Sequence, residues 1–426
     1  MSPERNLPEP ARHDWTQPLV FSKADPHALY YANQYMFKTT DGGQHWARIS
    51  DDLTRPDPGV PPGLDATAAA ITDRNGKRGV IYTIAPSPLL VPMVWVGTDD
   101  GVIHVTANDG QNWQNVTPPG VTAWSRVTMI DASHFDFGEA YAAVDRHQLE
   151  DFEPYLYRTR DAGKSWQTIT NGLPAGVYLH TVKEDPKRRG LLFAGTERGV
   201  HVSFDDGDHW QSLQLNLPVT SMRDLEIHGD DLIVATHGRG FWIIDDITAL
   251  RQVDASVTQD DAFLFKPADA IEVIAGGDNG TPTQKDEPEA ENPPAGAYID
   301  YYLKSGVSGP VTIEILDAAG QTIRRYSSED RPPANQTPQT VTILWERTPE
   351  TLSGAAGMHR WVWDFRPTPA GGAGRAGGAG RGGGGGGFGR GGAPMVAPGA
   401  YSVKLTVNGK SYTQPLTVKP DPRASR

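Results

Sequence analysis

Thr39-Thr40-Asp41-Gly42-Gly43-Gln44-His45-Trp46 decides the fold, because the chain writes the same phrase four times. It returns as Thr106-Ala107-Asn108-Asp109-Gly110-Gln111-Asn112-Trp113 and Thr159-Arg160-Asp161-Ala162-Gly163-Lys164-Ser165-Trp166. The last copy is Ser203-Phe204-Asp205-Asp206-Gly207-Asp208-His209-Trp210. One phrase repeated at intervals of 67, 53 and 44 residues marks one supersecondary unit used again and again. The residue types suit a tight turn. The Asp or Asn side-chain oxygen can accept backbone N–H groups of its own turn. The Gly permits a positive φ. The Trp opens the next strand and has a large apolar area to bury between neighbouring units. Asp41, Asn108, Asp161 and Asp205, with Trp46, Trp113, Trp166 and Trp210, are therefore expected to hold the fold rather than to do chemistry.

Each phrase sits in a similar setting. Val94 to Val105 and Leu191 to Val202 are near copies of an apolar run, a Gly-containing turn and a second run; Leu232 to Asp245 is a third version with no phrase after it. Such runs read as hairpin strands. Four short strands every 40 to 50 residues or so are the signature of propeller blades. Five blades are expected, over residues 17–50, 80–117, 124–170, 178–215 and 220–247. The Pro-rich residues 51–79 read as a long loop or insertion. Five blades close a ring poorly and the first begins abruptly. Further N-terminal blades, or a partner chain supplying them, are therefore expected, since an open propeller exposes strand edges and apolar faces.

Composition agrees with an all-β chain. Its 426 residues are enough for two or three domains, with Gly (47) and Pro (35) both high and a hydrophobic content of only 38%. A net charge of −13 argues against a nucleic-acid partner, since little would neutralise phosphate. Absence of Cys removes disulfides, thiolate metal sites and thiol nucleophiles. Met1 to Trp15 lacks the apolar core of a signal peptide, and no apolar run reaches membrane-spanning length. No cofactor is expected.

The four phrases resemble the Asp-box, or BNR repeat, of sialidases, sortilin-type propellers and xyloglucanase-type glycosidases. The runs Trp95 to Gly101, Asp224 to Asp246, Glu291 to Ala297 and Gly357 to Asp364 resemble one bacterial group of large sortilin-like BNR proteins, often labelled glycosyl hydrolases. The likeness covers nearly the whole chain, which resembles the C-terminal half of that layout. It implies an Asp-box propeller, an exported, extracytoplasmic protein, and either ligand binding or glycoside hydrolysis.

After Asp246 the periodicity changes. Ala262 to Pro267 reads as a strand or return segment, and residues 276–297 as a linker. Tyr298 to Leu303, Val311 to Leu316, Thr322 to Tyr326, Val341 to Trp345, Arg360 to Phe365, Tyr401 to Val407 and Tyr412 to Val418 alternate apolar and polar residues. Asp317 to Gly320 and the Asn408-Gly409 pair are turn signals. Seven short strands suggest a fibronectin-like or immunoglobulin-like sandwich. Residues 370–393, rich in Gly with three Arg, read as a flexible loop. The expected domains are thus blades over 1–250, a strand and linker over 251–297, and a sandwich over 298–420.

Strand alternation separates two ends of the propeller. If the phrases link third and fourth strands, the turns between second and third strands lie at the opposite end, where propeller pockets usually form. That end collects Asn33, Gln34, Asp99, Asp100, the 146–153 loop with His147, Glu150 and Asp151, then Glu197, Arg198, His237 and Arg239. Starts of inner strands add Trp124, Arg126, Tyr178, His180 and Arg223. Arg126, His180 and Arg223 read as equivalent points of three blades. A binding or scaffold propeller would hold a peptide, glycan or partner domain on this funnel end, through Trp124, Arg126, His147, Tyr178, His180, Arg223, His237 and Arg239. A glycoside hydrolase needs two carboxyls flanking the bond, and Asp99, Asp100, Glu150, Asp151 and Glu197 are the candidates. Sialidase chemistry would use Arg126, Arg223 and Arg239 on a sugar carboxylate, but no Tyr nucleophile with its Glu is evident. His147, Glu197 and His237 could ligate zinc, but no short-spaced ligand pair supports it, and no metal is expected.

Overall fold

Each blade follows from a local rule visible in its side chains. The computed structural model describes residues 3–4, 7–60, 79–273, 293–331, 350–368 and 394–423. The chain divides into two compact units, Met1–Ile244 and Asp245–Arg426. The first unit is a β-propeller, with five antiparallel sheets among the described residues. Blade 1 is β1 (Leu19–Phe21), β2 (Leu29–Ala32), β3 (Met36–Thr39) and β4 (Ala47–Arg48). Blade 2 is β5 (Ile81–Pro86), β6 (Val94–Thr98), β7 (Ile103–Thr106) and β8 (Gln114–Asn115). Blade 3 is β9 (Arg126–Ala132), β10 (Ala140–Asp145), β11 (Tyr155–Thr159) and β12 (Gln167–Thr168). Blade 4 is β13 (Leu179–Glu184), β14 (Leu192–Thr196), β15 (Val200–Ser203) and β16 (Gln211–Ser212). Blade 5 has three strands, β17 (Met222–His228), β18 (Asp231–Thr236) and β19 (Phe241–Ile244).

The repeated phrase forms the turn from third to fourth strand in blades 1 to 4. Asp41 Oδ1 accepts the Thr39 hydroxyl at 2.8 Å and the His45 N–H at 2.9 Å. Asn108, Asp161 and Asp205 repeat both bonds. The phrase glycines sit at φ 83 to 88, a conformation only Gly adopts without strain. The tryptophans then join blades. Trp113 Nε1 donates to the Ile49 carbonyl at 2.9 Å, Trp166 to Val116 at 2.7 Å and Trp210 to Ile169 at 2.8 Å. Each acceptor is the aliphatic residue just past the fourth strand of the preceding blade. Gly110, Gly163 and Gly207 press on those same three residues, leaving no room for a Cβ. Apolar cores fill the gaps between consecutive blades: Tyr30 and Met36 against Ile84 and Val96, Trp95 and Ile103 against Val127 and Ala142, Tyr141 and Leu156 against Leu179 and Ala194.

Backbone bonds separate the two ends. Asp109 N–H reaches Pro92, Ala162 reaches Gly138 and Asp206 reaches Gly190, so loops between first and second strands share the phrase end. At the other end Asp99 N–H bonds Val80, Glu197 bonds Tyr178 and His237 bonds Ser221.

The pairing register corrects one sequence expectation. Each of the four inner strands β5, β9, β13 and β17 carries a bulge. Ile81 faces Thr98 and Thr83 faces Gly97, so Tyr82 is the extra residue. By the same count the extra residues are Thr128, His180 and Arg223. Arg126 is therefore not the counterpart of His180 and Arg223; it matches Tyr178 and Ser221, two positions earlier. The triplets around these residues look alike, but a bulge adds a residue that uniform alternation does not count. In the same register Asp145 matches Asp99, Glu197 and His237.

The second unit is a β-sandwich. One sheet orders β20 (Ala262–Leu264), β22 (Ala297–Leu303) and β25 (Gly357–Trp363). The other orders β21 (Ala270–Glu272), β27 (Lys410–Pro420), β26 (Gly399–Val407), β23 (Thr312–Leu316) and β24 (Thr322–Ser327). Ile299, Leu303, Ile313, Ile315, Trp363, Val403 and Leu405 fill its core. Asn408 and Gly409, at φ 49 and 78, make the two-residue hairpin turn between β26 and β27. Asp300 accepts two bonds from Arg360, at 2.8 and 2.9 Å, which compensates its burial. The expected strand Val341 to Trp345, the loop 370–393 and most of the linker 276–297 lie outside the described residues.

Candidate functional site

The funnel end brings five of the candidates from blades 3, 4 and 5, namely His147, Tyr178, His180, Glu197 and Arg223, into one cluster. Asp145 ends β10 with only 3% exposure. Its carboxylate accepts the His147 backbone N–H at 2.8 Å and lies 2.6 and 2.7 Å from His147 Nδ1. That fixes the ring at the start of a single 3₁₀ turn, His147–Leu149. The His147 ring stacks on Tyr178, with centroids 5.1 Å apart and planes 24° apart. Tyr178 meets His180 edge-on at 5.1 Å and Phe152, half exposed, at 6.1 Å. His180 Nε2 lies 2.7 Å from Glu197 Oε2. Ser221 Oγ donates to that same oxygen at 2.7 Å and sits 3.0 Å from His180 Nε2. Arg223 is exposed beside them.

Electrostatics fix the protonation states. Burial pushes His180 below the ordinary imidazole range, although Glu197 pulls the other way. Burial alone would raise Glu197; the hydrogen bonds from His180 and Ser221 outweigh it and hold the carboxyl below its usual value. Burial and then the charges of Glu197 and Asp145 push Tyr178 up to about 12. At neutral pH the cluster therefore holds a neutral His180, an ionised Glu197 and a protonated Tyr178. It is not a nucleophile relay: Ser221 and Glu197 share one imidazole nitrogen, whereas a relay sets the acid and the hydroxyl on opposite nitrogens.

A second group lies on blades 2 and 3. Asp99 is 7% exposed and accepts the Val80 N–H at 2.7 Å. Asp100 is fully buried, accepting the Thr98 hydroxyl at 2.6 Å and the Arg55 N–H at 2.8 Å. Burial, with the neighbouring Asp100 charge adding to it, pushes the Asp99 carboxyl up to about 7. The Arg126 guanidinium covers the Tyr82 ring at 4.9 Å. Trp124 is buried at φ 62 with its indole N–H on the Gly59 carbonyl at 3.2 Å. Asn33 and Gln34 are buried and organise the N-terminal segment; Gln34 accepts the Arg12 N–H at 2.9 Å.

The remaining candidates stand apart. Glu150 is exposed at φ 59. Asp151 is occupied by the Tyr155 hydroxyl at 2.8 Å, with Arg146 Nε at 3.4 Å. His237 and Arg239 are exposed in the β18–β19 turn. His147, Glu197 and His237 do not form a ligand set; among the described residues no group of three His, Asp or Glu side chains is arranged to hold a metal ion. Asp145, Ser221 and Tyr82 were not legible as site residues, and only the bulge-corrected register would have singled them out.

A cavity of about 490 Å³ is lined by residues of the inner strands, among them Leu19, Phe21, Pro86, Asp131, Lys183 and Glu226. Lys183 lies 3.6 Å from Asp131 and 3.9 Å from Glu226, which keep its ammonium charged against the effect of burial.

No family model matches the chain, and no curated protein matches it. Among solved structures it is similar to a GH74 xyloglucanase from Xanthomonas campestris, with 17% identity over 54% of this chain and 36% of that one, at a TM-score of 0.39. A GH74 enzyme of Niastella koreensis gives 14% identity, 67% and 41% coverage, and a TM-score of 0.39. YCF48 bound to D1 peptide gives 14% identity, 55% and 98% coverage, and a TM-score of 0.23. The chain thus spans well under half the length of the GH74 enzymes. At these identities and TM-scores the likeness says nothing of what this chain binds or does. The class defined by the fold is an all-β protein, a β-propeller followed by a β-sandwich.

Proposed function

We propose that this chain is the recognition module of a sortilin-like Asp-box propeller protein, binding a peptide segment or a glycan at its funnel end. One observation carries the reading: the half-open aromatic wall of His147, Tyr178 and Phe152 stands beside an ionised Glu197 and an exposed Arg223. Flat aromatic faces offer apolar contact at low entropic cost, and the flanking charges give orientation. The carboxylates are mostly committed locally: Asp145 to His147, Asp151 to Tyr155 and Glu197 to His180 and Ser221. That favours recognition over bond cleavage. Titrating the chain against arrayed polysaccharides and displayed peptides tests it; saturable binding lost on Tyr178→Ala, without turnover, is the expected result.

A second reading, glycoside hydrolysis, is favoured by Asp99 alone. A carboxyl pushed up to about 7 is poised as a general acid. Reducing-sugar release that vanishes in Asp99→Asn and persists in Tyr178→Ala would select it over the binding reading.

A further inference from the structure

The indole bonds between blades leave one donor unused. Trp113, Trp166 and Trp210 each give their N–H to the aliphatic residue that follows the fourth strand of the blade before. Trp46 occupies the same place in blade 1, and among the described residues its Nε1 has no acceptor. Among the described residues its ring pair is with its own blade, edge-on to Tyr31 at 6.2 Å. The same side of blade 1 carries Leu19 and Phe21 on β1, 61% and 63% exposed. Pairing puts Leu19 opposite Tyr31 and Phe21 opposite Leu29, so these four share one face. The other face of the blade, with Tyr30 and Met36, is the one buried against blade 2. Blade 1 thus leaves Leu19 and Phe21 exposed on the face that blades 2, 3 and 4 bury, while on the same face the Tyr31 hydroxyl meets Glu4 at 2.8 Å and Gln17 at 3.0 Å and Phe37, opposite Tyr31, is 1% exposed.

We propose that this face of blade 1 is a docking surface for one further four-stranded blade of the same repeat, whose fourth strand is followed by an aliphatic residue offering its carbonyl to Trp46 Nε1. The occupant follows from continuity with an interface the chain builds three times over, with Ile49, Val116 and Ile169 as acceptors. A second copy does not supply it. In this chain the side of a blade that would meet Trp46 is covered in blades 1 to 4 by the next blade. Among the described residues it is open in blade 5, where Phe241 and Ile243 are 78% and 54% exposed. Among the described residues blade 5 has no fourth strand, and so no residue in the acceptor position.

Indole hydrogen exchange tests this in the full chain, with tryptophan labelled with ¹⁵N and the Trp46 signal assigned by its loss in Trp46→Phe. Trp46 is expected to exchange at least tenfold faster than Trp113, Trp166 and Trp210. Protection equal to theirs at all concentrations would mean that the chain already fills the site, and protection that grows with protein concentration would assign it to a second copy; either overturns the proposal. A chain in which a copy of residues 80–125 replaces residues 1–17 is the second measurement. Trp46 exchange is expected to slow at least tenfold there, relative to the chain simply lacking residues 1–17. A grafted blade that folds while Trp46 stays fast, or one that stays unstructured on five folded native blades, contradicts the docking surface.

Discussion

His180 Nε2 and Glu197 Oε2 lie 2.7 Å apart in blade 4, and Ser221 of blade 5 reaches both, so one carboxylate joins the funnel-end site to the next blade. Ser221 holds the position that Arg126 holds two interfaces earlier, where it meets Tyr82 instead. In both cases the residue two positions before the bulge of an inner strand touches the bulge residue of the preceding blade. The fold supplies the same meeting point repeatedly, and the local sequence decides its chemistry.

Removing the Glu197 side chain leaves a buried imidazole and a buried hydroxyl without their acceptor. Glu197→Ala is expected to destabilise the propeller by about 1–3 kcal/mol in urea unfolding. Glu197→Gln keeps an acceptor and is expected to cost less than half of that.

Asp99 gives a pH dependence. Its folded-state carboxyl is raised to about 7 from an ordinary 3.8, mainly by burial. A raised carboxyl contributes its full stability below the unfolded value and loses it as pH rises through the folded one. The stability of the native chain relative to Asp99→Asn is therefore expected to fall by roughly 2–4 kcal/mol between about pH 4 and pH 8. Unfolding free energies of both chains across that range check it, and parallel curves would show that Asp99 does not titrate there.

The phrase residues act on the fold and not on the site. Trp210 is 5% exposed and donates to Ile169 across a blade boundary. Trp210→Ala is expected to cost about 3–5 kcal/mol, with a marked drop in Tm. Ligand affinity of the remaining folded fraction should be unchanged, because Trp210 belongs to the end opposite Tyr178.

The blades were legible because their determinants are local. A Thr, an Asp and a Gly within five residues close a turn by bonding each other, and the Trp that follows needs only a neighbour to cover it. The site was only partly legible because its members come from three blades and meet through register. One extra residue in each inner strand moved Arg126 out of line with His180 and hid the match between Asp145 and Glu197. Burial was also hidden: Trp124 and Asp100 look like exposed loop residues in sequence, yet both lie beneath chain that crosses from elsewhere, Gly59 over one and Arg55 over the other.

Arg223 and Tyr178 separate recognition from support. Arg223 is exposed and Arg223→Ala is expected to leave Tm within about 1 °C, since surface changes of this kind rarely exceed ~0.5 kcal/mol. The same variant is expected to weaken ligand binding at least fivefold. Thermal scans and titrations on one preparation read both.

The most direct test is a calorimetric titration of the strongest binder from polysaccharide and peptide arrays into the native chain and into Tyr178→Ala. Recognition at the funnel end predicts saturable binding to the native chain, at least tenfold weaker binding to the variant, and no change in the binder itself after prolonged incubation. Equal affinity for both chains, or cleavage of the binder that depends on Asp99, would contradict it.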